Sequence, residues 1–184
     1  MTQLFINTVG HNASGKTTIG TKLVRKFRLD RVSGDDFSNF VYSHIAYFDN
    51  TSISFPNKRY AELNPLVLHY RFELTWTLLR ANQNVLYDGS GSTAEIRAKY
   101  LQKIKADFPE AKTVIIWADI EESELVKRLA RRDEEPGARW TDMYTQIKKT
   151  GFEPPQEGEA DILLRYDQTN YDEIESEIHK LLML

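Results

Sequence analysis

The chain has 184 residues, and its contents of 41% hydrophobic and 28% charged residues are typical of a globular protein of one domain. It has no cysteine, which excludes disulfides, thiolate zinc sites and cysteine nucleophiles, and its net charge of −3 argues against a broadly basic nucleic-acid-binding surface. The sequence shows neither a secretory signal nor an apolar run that approaches a membrane span. We therefore expect a single cytoplasmic domain over residues 1–184.

Strand and helix patterns alternate along the chain. The predicted strands are Leu4–Val9, Arg31–Ser33, Asn84–Tyr87, Thr113–Ala118 and Asp161–Tyr166. The predicted helices are Thr17–Arg28, Pro65–Asn82, Thr93–Asp107, Glu121–Arg132 and Tyr171–Leu182, with Asn64 and Asn170 as the expected caps of the second and the last. This alternation predicts a parallel sheet with helices on both faces, in which ligands bind beyond the carboxyl ends of the strands.

A phosphate-binding loop connects the first predicted strand to the first predicted helix. The segment GHNASGKT fits the pattern G-x-x-x-x-G-K-[ST] at every fixed position, and a strand before it and a helix after it are the context that the pattern requires. In such a loop Lys16 reaches the β- and γ-phosphates, while the Thr17 hydroxyl ligates Mg²⁺. The residues expected to contact the nucleotide are Gly10, His11, Asn12, Ala13, Ser14, Gly15, Lys16, Thr17 and Thr18.

Acidic residues follow the second and third predicted strands. Asp88 ends an apolar run and is expected to hold Mg²⁺ beside the acceptor, although Asp88-Gly89 is also ordinary turn chemistry. Asp35 and Asp36 are adjacent, so one is expected to face the cleft and the other to cap the next helix. We predict Asp35 as the base that accepts a proton from the acceptor hydroxyl, with Asp36 beside the substrate. The alternative is that both aspartates only begin a helix.

An arginine-rich segment over residues 121–140 predicts a mobile lid. Arg132 and Arg139 are the candidates for stabilising charge on the transferred phosphoryl group, with Arg128 and Arg131 as the alternatives. The same stretch is rich in glutamate, so an exposed helix laced by salt bridges is a second interpretation.

Residues 37–76 are rich in aromatic side chains and follow the proposed base, which predicts an acceptor-binding region. Most of these aromatic residues are expected to serve packing. Arg97 is a candidate for neutralising a phosphate on the acceptor, although a solvated surface arginine would look the same in sequence. A switch GTPase is disfavoured, because no N-K-x-D motif follows the D-x-x-G match at Asp88.

The ordered motifs GHNASGKTT, SGDDF, VLYDGSGS with Arg97, and ELVKRLARRDEEPGAR resemble those of the small P-loop kinases. The resemblance is nearest to the kinase domain of phage-type 5′-polynucleotide kinases and to nucleoside, sugar and zeta-toxin-like kinases. It implies the P-loop NTPase fold, a three-layer α/β/α arrangement around a five-stranded parallel sheet with a lid segment. It also implies ATP and Mg²⁺ as cofactors, Lys16 as the phosphate clamp, Asp35 as the base and Arg132 or a neighbour as the lid arginine.

One position departs from the closest pattern. Polynucleotide kinases typically place an arginine three residues after the base, where this chain has Ser38. We therefore expect the γ-phosphoryl group of ATP to pass to a hydroxyl of a small molecule, nucleoside or nucleotide. A polynucleotide end or an activated sugar, as in zeta-toxin-like enzymes, is the alternative acceptor. A nucleotide-binding regulatory protein with little catalysis is the second alternative.

Overall fold

The computed structural model describes residues 2–41, 58–89, 91–134 and 140–184, without the side chains of residues 58–62, 143, 147, 149 and 150. The strands are β1 (Leu4–Val9), β2 (Asp30–Ser33), β3 (Val85–Asp88), β4 (Lys112–Ala118) and β5 (Ile162–Tyr166). The helices are α1 (Lys16–Phe27), α2 (Gly34–Phe40), α3 (Lys58–Arg80), α4 (Ala94–Asp107), α5 (Glu122–Arg132), α6 (Trp140–Thr150) and α7 (Tyr171–Leu182).

The five strands form one parallel sheet in the order β2-β3-β1-β4-β5. β1 is central, and Thr8 near its carboxyl end pairs with Asp88 of β3, which in turn pairs with Ser33 of β2. The P-loop and both acidic segments therefore leave the sheet at the same edge. This arrangement confirms the predicted α/β fold with a five-stranded parallel sheet.

Alternation along β1 divides the core into two layers. Leu4 and Ile6 pack against α1 and α7, in a cluster that includes Ile19 and Ile178. Phe5 and Val9 face the opposite way and pack with residues of α3 and α4, among them Trp76, Tyr100 and Ile104. All six residues of β1 are buried, as expected for the central strand of a sheet covered on both faces.

Several helix boundaries differ from the sequence-based expectation. α3 begins at Lys58, so Pro65 lies inside the helix and Asn64 is not its cap. Asn170 precedes α7, but its side-chain oxygen accepts from the Asp167 N–H instead of capping the first turn. Helix α6 is additional to those predicted, and α2 is the helix expected at the adjacent aspartates, for which no bounds were predicted. Among the described residues, no helix combines the length and apolar character that a bilayer span requires.

Candidate active site

The P-loop turns tightly between β1 and α1 because two glycines adopt positive φ angles, 145° at Gly10 and 99° at Gly15. A Cβ on Gly10 would lie 2.6 Å from the Ala118 carbonyl oxygen, and one on Gly15 would lie 2.7 Å from Nε2 of Gln168. Backbone conformation therefore favours glycine at both positions, and at Gly10 the fixed carbonyl of Ala118 also leaves no space for a side chain. The loop delivers its chain to the N-terminus of α1, whose free N–H groups favour an anion.

Lys16 is held by the loop itself. Its Nζ donates to the carbonyl oxygens of Gly10, at 2.9 Å, and His11, at 2.7 Å. Burial lowers the pKa of Lys16 to about 8, while the carboxylates of Asp88 and Asp35 oppose that shift. The two acidic positions predicted from the strand ends therefore both act on the P-loop lysine.

Asp88 is the centre of a polar network at the end of β3. Its Oδ1 accepts from the Thr8 hydroxyl at 3.1 Å, and its Oδ2 accepts from the Thr17 hydroxyl at 3.3 Å. The Arg31 guanidinium lies 2.6 Å from the same Oδ2. A hydroxyl and a carboxylate are hard oxygen donors of the kind Mg²⁺ takes, so Thr17 and Asp88 fit the metal role predicted for them.

The two adjacent aspartates face different surroundings. Asp35 lines the cleft in front of the P-loop, whereas Asp36 forms an ion pair with Arg31 at 3.2 Å. The cap of α2 is Ser33, whose hydroxyl accepts from the Asp36 N–H at 3.3 Å. The expectation that one aspartate caps this helix is therefore wrong, because the serine before Gly34 already satisfies the first turn.

The cleft between the P-loop, α2, α3 and α5 has a volume of about 490 Å³. Its lining residues include Lys16, Thr17, Asp35, Ser38, Arg71, Asp88, Arg128, Arg131 and Arg132. One concave surface thus brings together a phosphate loop, two carboxylates and four arginines. Part of the proposed acceptor-binding region, residues 42–57, lies outside the described residues.

Arg71 of α3 points into this cleft. Its guanidinium stacks 4.4 Å above the Tyr87 ring, and its Nη2 lies 3.5 Å from the Asp88 carbonyl oxygen. Gly34 and Gly89 lie on either side of it, and a Cβ at either position would come within 2.8 Å of its Nη atoms. Within the described part of the chain, no carboxylate forms an ion pair with Arg71, and a guanidinium held in this way has donors to offer a ligand.

The arginines of α5 approach the cleft from the opposite side. Arg128 bonds Glu124 at 2.9 Å within its own helix and Gln168 at 3.0 Å across the cleft wall. The Arg132 guanidinium lies 5.2 Å from the centre of the Trp140 ring, at the start of α6. Arg128, Arg131 and Arg132 all line the cleft, and Arg128 is also salt-bridged within its helix, as the second interpretation of this segment expected. Arg139 lies outside the described residues.

Gln168 ties the loop after β5 to the P-loop. Its Nε2 donates to the Ser14 carbonyl oxygen at 2.6 Å, and its Oε1 accepts from Arg128. The backbone of Gln168 adopts a φ of 84°, in the left-handed region that a non-glycine residue seldom occupies. This strained residue links the P-loop at Ser14 to Arg128 of α5.

Arg97 does not face the cleft, and its predicted contact with the acceptor is wrong. Its side chain has no exposed surface, and Nε and Nη2 make a bidentate ion pair with Glu159 at 2.6 and 2.8 Å. Nη1 donates to the carbonyl oxygens of Gly91 and Glu153. The guanidinium thus joins the start of α4 to the segment before β5, and it has a structural role.

The His11 side chain also points away from the cleft. Its ring lies 4.2 Å from that of Phe152 and 5.2 Å from that of Tyr144, beside a second cavity of about 360 Å³ behind the loop. Burial, followed by the charge of Lys16, lowers the pKa of His11. Of the predicted nucleotide contacts, His11 therefore has only its backbone on the Lys16 side of the loop, where its carbonyl oxygen accepts from Nζ.

The AAA_33 family, described as an AAA domain, matches residues 5–150. The chain belongs to this family. The match spans the P-loop, Asp35, Asp88 and the arginines of α5, so the residues that line the cleft lie within the AAA_33 domain. No curated protein sequence matches the chain.

Solved structures with the same fold include several kinases. A candidate kinase from Chloroflexus aurantiacus J-10-fl is 20% identical with a TM-score of 0.77, over 99% of this chain and 97% of that chain. A sugar kinase from Janibacter sp. HTCC2649 is 16% identical with a TM-score of 0.64, over 100% and 95%. The APS kinase of Mycobacterium tuberculosis, solved with AMPPNP and APS, is 18% identical with a TM-score of 0.61, over 100% and 99%. This AAA_33 chain has the fold of the small P-loop kinases.

Three residues of the site were not predicted from the sequence. Gln168 follows the last strand, so the rule that ligands bind after strand ends could have identified it. Arg31 lies inside a strand and Arg71 inside a long helix, positions at which no local pattern indicates a ligand contact. Only the packing of β2 and α3 against β3 brings these two arginines to Asp88.

Proposed function

We propose that this AAA_33 chain is an ATP-dependent kinase that transfers the γ-phosphoryl group to a hydroxyl of a small, anionic acceptor. The observation that supports it most is the cleft in which Lys16, Asp35 and Arg71 line one surface. A protein that only bound a nucleotide would need the P-loop, but it would need neither a carboxylate nor an arginine on the far side of that loop.

The P-loop and the start of α1 are the proposed site of the ATP phosphates. Lys16 would exchange its bonds to the Gly10 and His11 carbonyls for bonds to phosphate oxygens, and the N–H groups at the helix start would donate to them. Thr17 and Asp88 would hold Mg²⁺, which supplies positive charge beside the phosphates when bound.

Asp35 is the proposed base. As the acceptor oxygen forms a bond to the γ-phosphorus, its proton passes to the Asp35 carboxylate and the bond from the γ-phosphorus to the leaving ADP oxygen breaks. Asp35 suits this role better than Asp36, because Asp35 lines the cleft while Asp36 is paired with Arg31.

Arg71 is the proposed contact for an anionic group on the acceptor. Its guanidinium presents parallel N–H donors, a geometry suited to phosphate, sulfate or carboxylate. The stack on Tyr87 and the space beside Gly34 and Gly89 fix its orientation before any ligand binds. This arginine offers the guanidinium that Ser38, also in the cleft wall, does not supply.

The arginines of α5 complete the proposed site. Arg131 and Arg132 line the cleft near Lys16, where they would stabilise the charge that spreads over the transferred phosphoryl group. Arg128 and Gln168 lie beside the loop at Ser14 and Gly15, which makes them the proposed contacts for the rest of the nucleotide.

Labelled ATP tests the proposal directly. The wild-type protein is incubated with γ-labelled ATP, Mg²⁺ and pools of alcohols that carry phosphate, sulfate or carboxylate groups, with 5′-hydroxyl oligonucleotides and activated sugars in separate pools. We expect label in a small anionic alcohol, and loss of that label in Lys16→Met. Tight ATP binding without transfer to any pool would favour the regulatory alternative.

Arg71→Gln then tests the acceptor contact. We expect its KM for the anionic acceptor to rise about 10- to 100-fold, because a charge-assisted bidentate contact is lost. Its KM for ATP should stay within about twofold of the wild-type value, since Arg71 is proposed to touch the acceptor alone. An unchanged acceptor KM would remove Arg71 from the site without affecting the assignment of Asp35.

A further inference from the structure

Arg31 occupies the position beside Asp88 that a metal ion would share. Its Nη2 lies 2.6 Å from Oδ2 of Asp88, and Thr17 donates to that same oxygen at 3.3 Å. The carboxylate is only 7% exposed, so solvent screens the pair weakly. The oxygen that would ligate Mg²⁺ therefore already carries a cationic partner.

Two cations at one carboxylate oxygen repel each other, and the repulsion is strong where solvent is excluded. A divalent ion entering between Thr17 and Asp88 would meet the guanidinium within a few ångströms. Nucleotide phosphates change this balance, because their negative charges lie beside the ion and offset the arginine. Metal binding would therefore be weak without a nucleotide and favourable with one.

A second carboxylate offers Arg31 an alternative partner. Nη1 of Arg31 lies 3.2 Å from Oδ2 of Asp36, whose side chain is 69% exposed. Nε of Arg31 is buried and has no hydrogen-bond partner among the described residues, so the Nη groups hold the side chain in place. If Asp88 bound a metal ion in place of Arg31, the guanidinium could stay paired with Asp36. This is a role for an exposed aspartate next to the proposed base.

We propose that Arg31 is a positioning residue that prevents Thr17 and Asp88 from binding Mg²⁺ until the nucleotide phosphates arrive, and that Asp36 holds the arginine when it leaves Asp88. The proposal rests on the proposed function, since it takes Thr17 and Asp88 as the metal ligands. It adds that metal and nucleotide bind with positive coupling, and that Arg31 is the source of that coupling.

Mn²⁺ binding followed by electron paramagnetic resonance tests this without any turnover. Free Mn²⁺ is titrated against the wild-type protein and Arg31→Gln, first without nucleotide and then with the nonhydrolysable analogue AMPPNP. We expect Arg31→Gln to bind Mn²⁺ about tenfold more tightly than wild type without nucleotide. With AMPPNP the difference should shrink to about twofold, because the phosphates already offset the arginine charge.

Arg165→Gln is the matched control. Arg165 pairs with Asp119 at the same distance, 2.6 Å, but on β5 and with 67% of its side chain exposed. The substitution removes an equal charge from the protein and should leave Mn²⁺ binding unchanged. Asp36→Asn should act in the opposite direction from Arg31→Gln and weaken Mn²⁺ binding about twofold, since the arginine then has only Asp88 as its partner.

The possible outcomes distinguish a failure of the Arg31 proposal from a failure of the proposed function. Equal Mn²⁺ affinity of wild type and Arg31→Gln without nucleotide, or weaker binding by the variant, overturns the role of Arg31 while leaving the kinase assignment intact. Absence of Mn²⁺ binding in every variant, even with AMPPNP, contradicts the proposed function instead. If Arg31→Gln does not fold by circular dichroism, Arg31→Lys replaces it, because a lysine keeps the charge but lacks the planar fork through which the guanidinium contacts Asp88 and Asp36. It should tighten Mn²⁺ binding about threefold, and unchanged binding overturns the proposal.

Discussion

The ammonium nitrogen of Lys16 lies 2.7 Å from the carbonyl oxygen of His11, in the same P-loop that the lysine serves. The loop thus holds its own cation close to where phosphate oxygens would lie. Burial in this position lowers the pKa of Lys16 to about 8, so Lys16 is neutral in a fraction of the molecules in mildly alkaline solution. The charge of the P-loop lysine then depends on pH within an accessible range.

We predict that ATP binding takes up protons near pH 8.5. The free protein has a Lys16 pKa of about 8, and phosphate oxygens beside the amine raise that pKa by favouring its charged form. Calorimetry in buffers of different ionisation enthalpy should therefore detect uptake of a sizeable fraction of a proton at pH 8.5. At pH 6.5 Lys16 is already protonated and should take up none. ATP affinity should fall as the pH rises above about 8.

Lys16→Arg is the control for this linkage, because arginine stays charged throughout the range. The variant should bind ATP without proton uptake at pH 8.5. Equal uptake by the variant and the wild type would assign the proton to another group.

The lowered pKa of His11 leads us to predict that the protein loses stability in acid. Burial lowers its pKa in the folded protein, so the unfolded chain binds the proton more readily and its protonation favours unfolding. The contribution of neutral His11 to the free energy of unfolding is fully present above the ordinary histidine pKa of 6.5 and is lost as the pH falls below it. Urea unfolding of wild type and His11→Gln between pH 7.5 and 5 should show the wild type losing more stability. Parallel pH profiles would refute the assignment.

We predict that replacing Arg97 lowers the stability of the protein and does not weaken acceptor binding. Arg97→Met leaves Glu159 without its bidentate partner, and we expect the free energy of unfolding to fall by about 3 kcal/mol. Lys99→Met, which breaks an exposed ion pair on the same helix, should leave the free energy of unfolding nearly unchanged. Denaturant titration measures both. A raised acceptor KM in Arg97→Met at unchanged stability would restore Arg97 to the acceptor site.

The strands were predictable because a parallel sheet covered on both faces is built from short, continuous apolar runs such as Leu4–Val9. The P-loop was predictable because its chemistry depends on residues close in sequence. Pro65 misled the prediction of α3, since proline favours a helix start and disfavours a helix interior, whereas α3 begins at Lys58 and continues through Pro65. The start of a long helix is decided by its packing, which the local sequence does not display.

The rest of the site depends on contacts between residues distant in sequence. Arg31 reaches Asp88 across 57 residues, and Arg128 reaches Gln168 across 40. Arginines with ligand-binding and structural roles look alike in sequence, which is why Arg97 was assigned to the acceptor and Arg71 was overlooked. Burial and partners distinguish them, because Arg97 has its donors occupied while Arg71 faces the cleft.

The most direct test of the proposed phosphoryl transfer compares Asp35→Asn with Asp36→Asn in the labelled-ATP assay, with ATP affinity measured in parallel. We predict that Asp35→Asn reduces phosphoryl transfer by about 10²- to 10⁴-fold at unchanged ATP affinity, because the base is lost while the nucleotide site remains. Asp36→Asn should retain most of its turnover at saturating Mg²⁺. Wild-type transfer by Asp35→Asn would contradict the proposed chemistry.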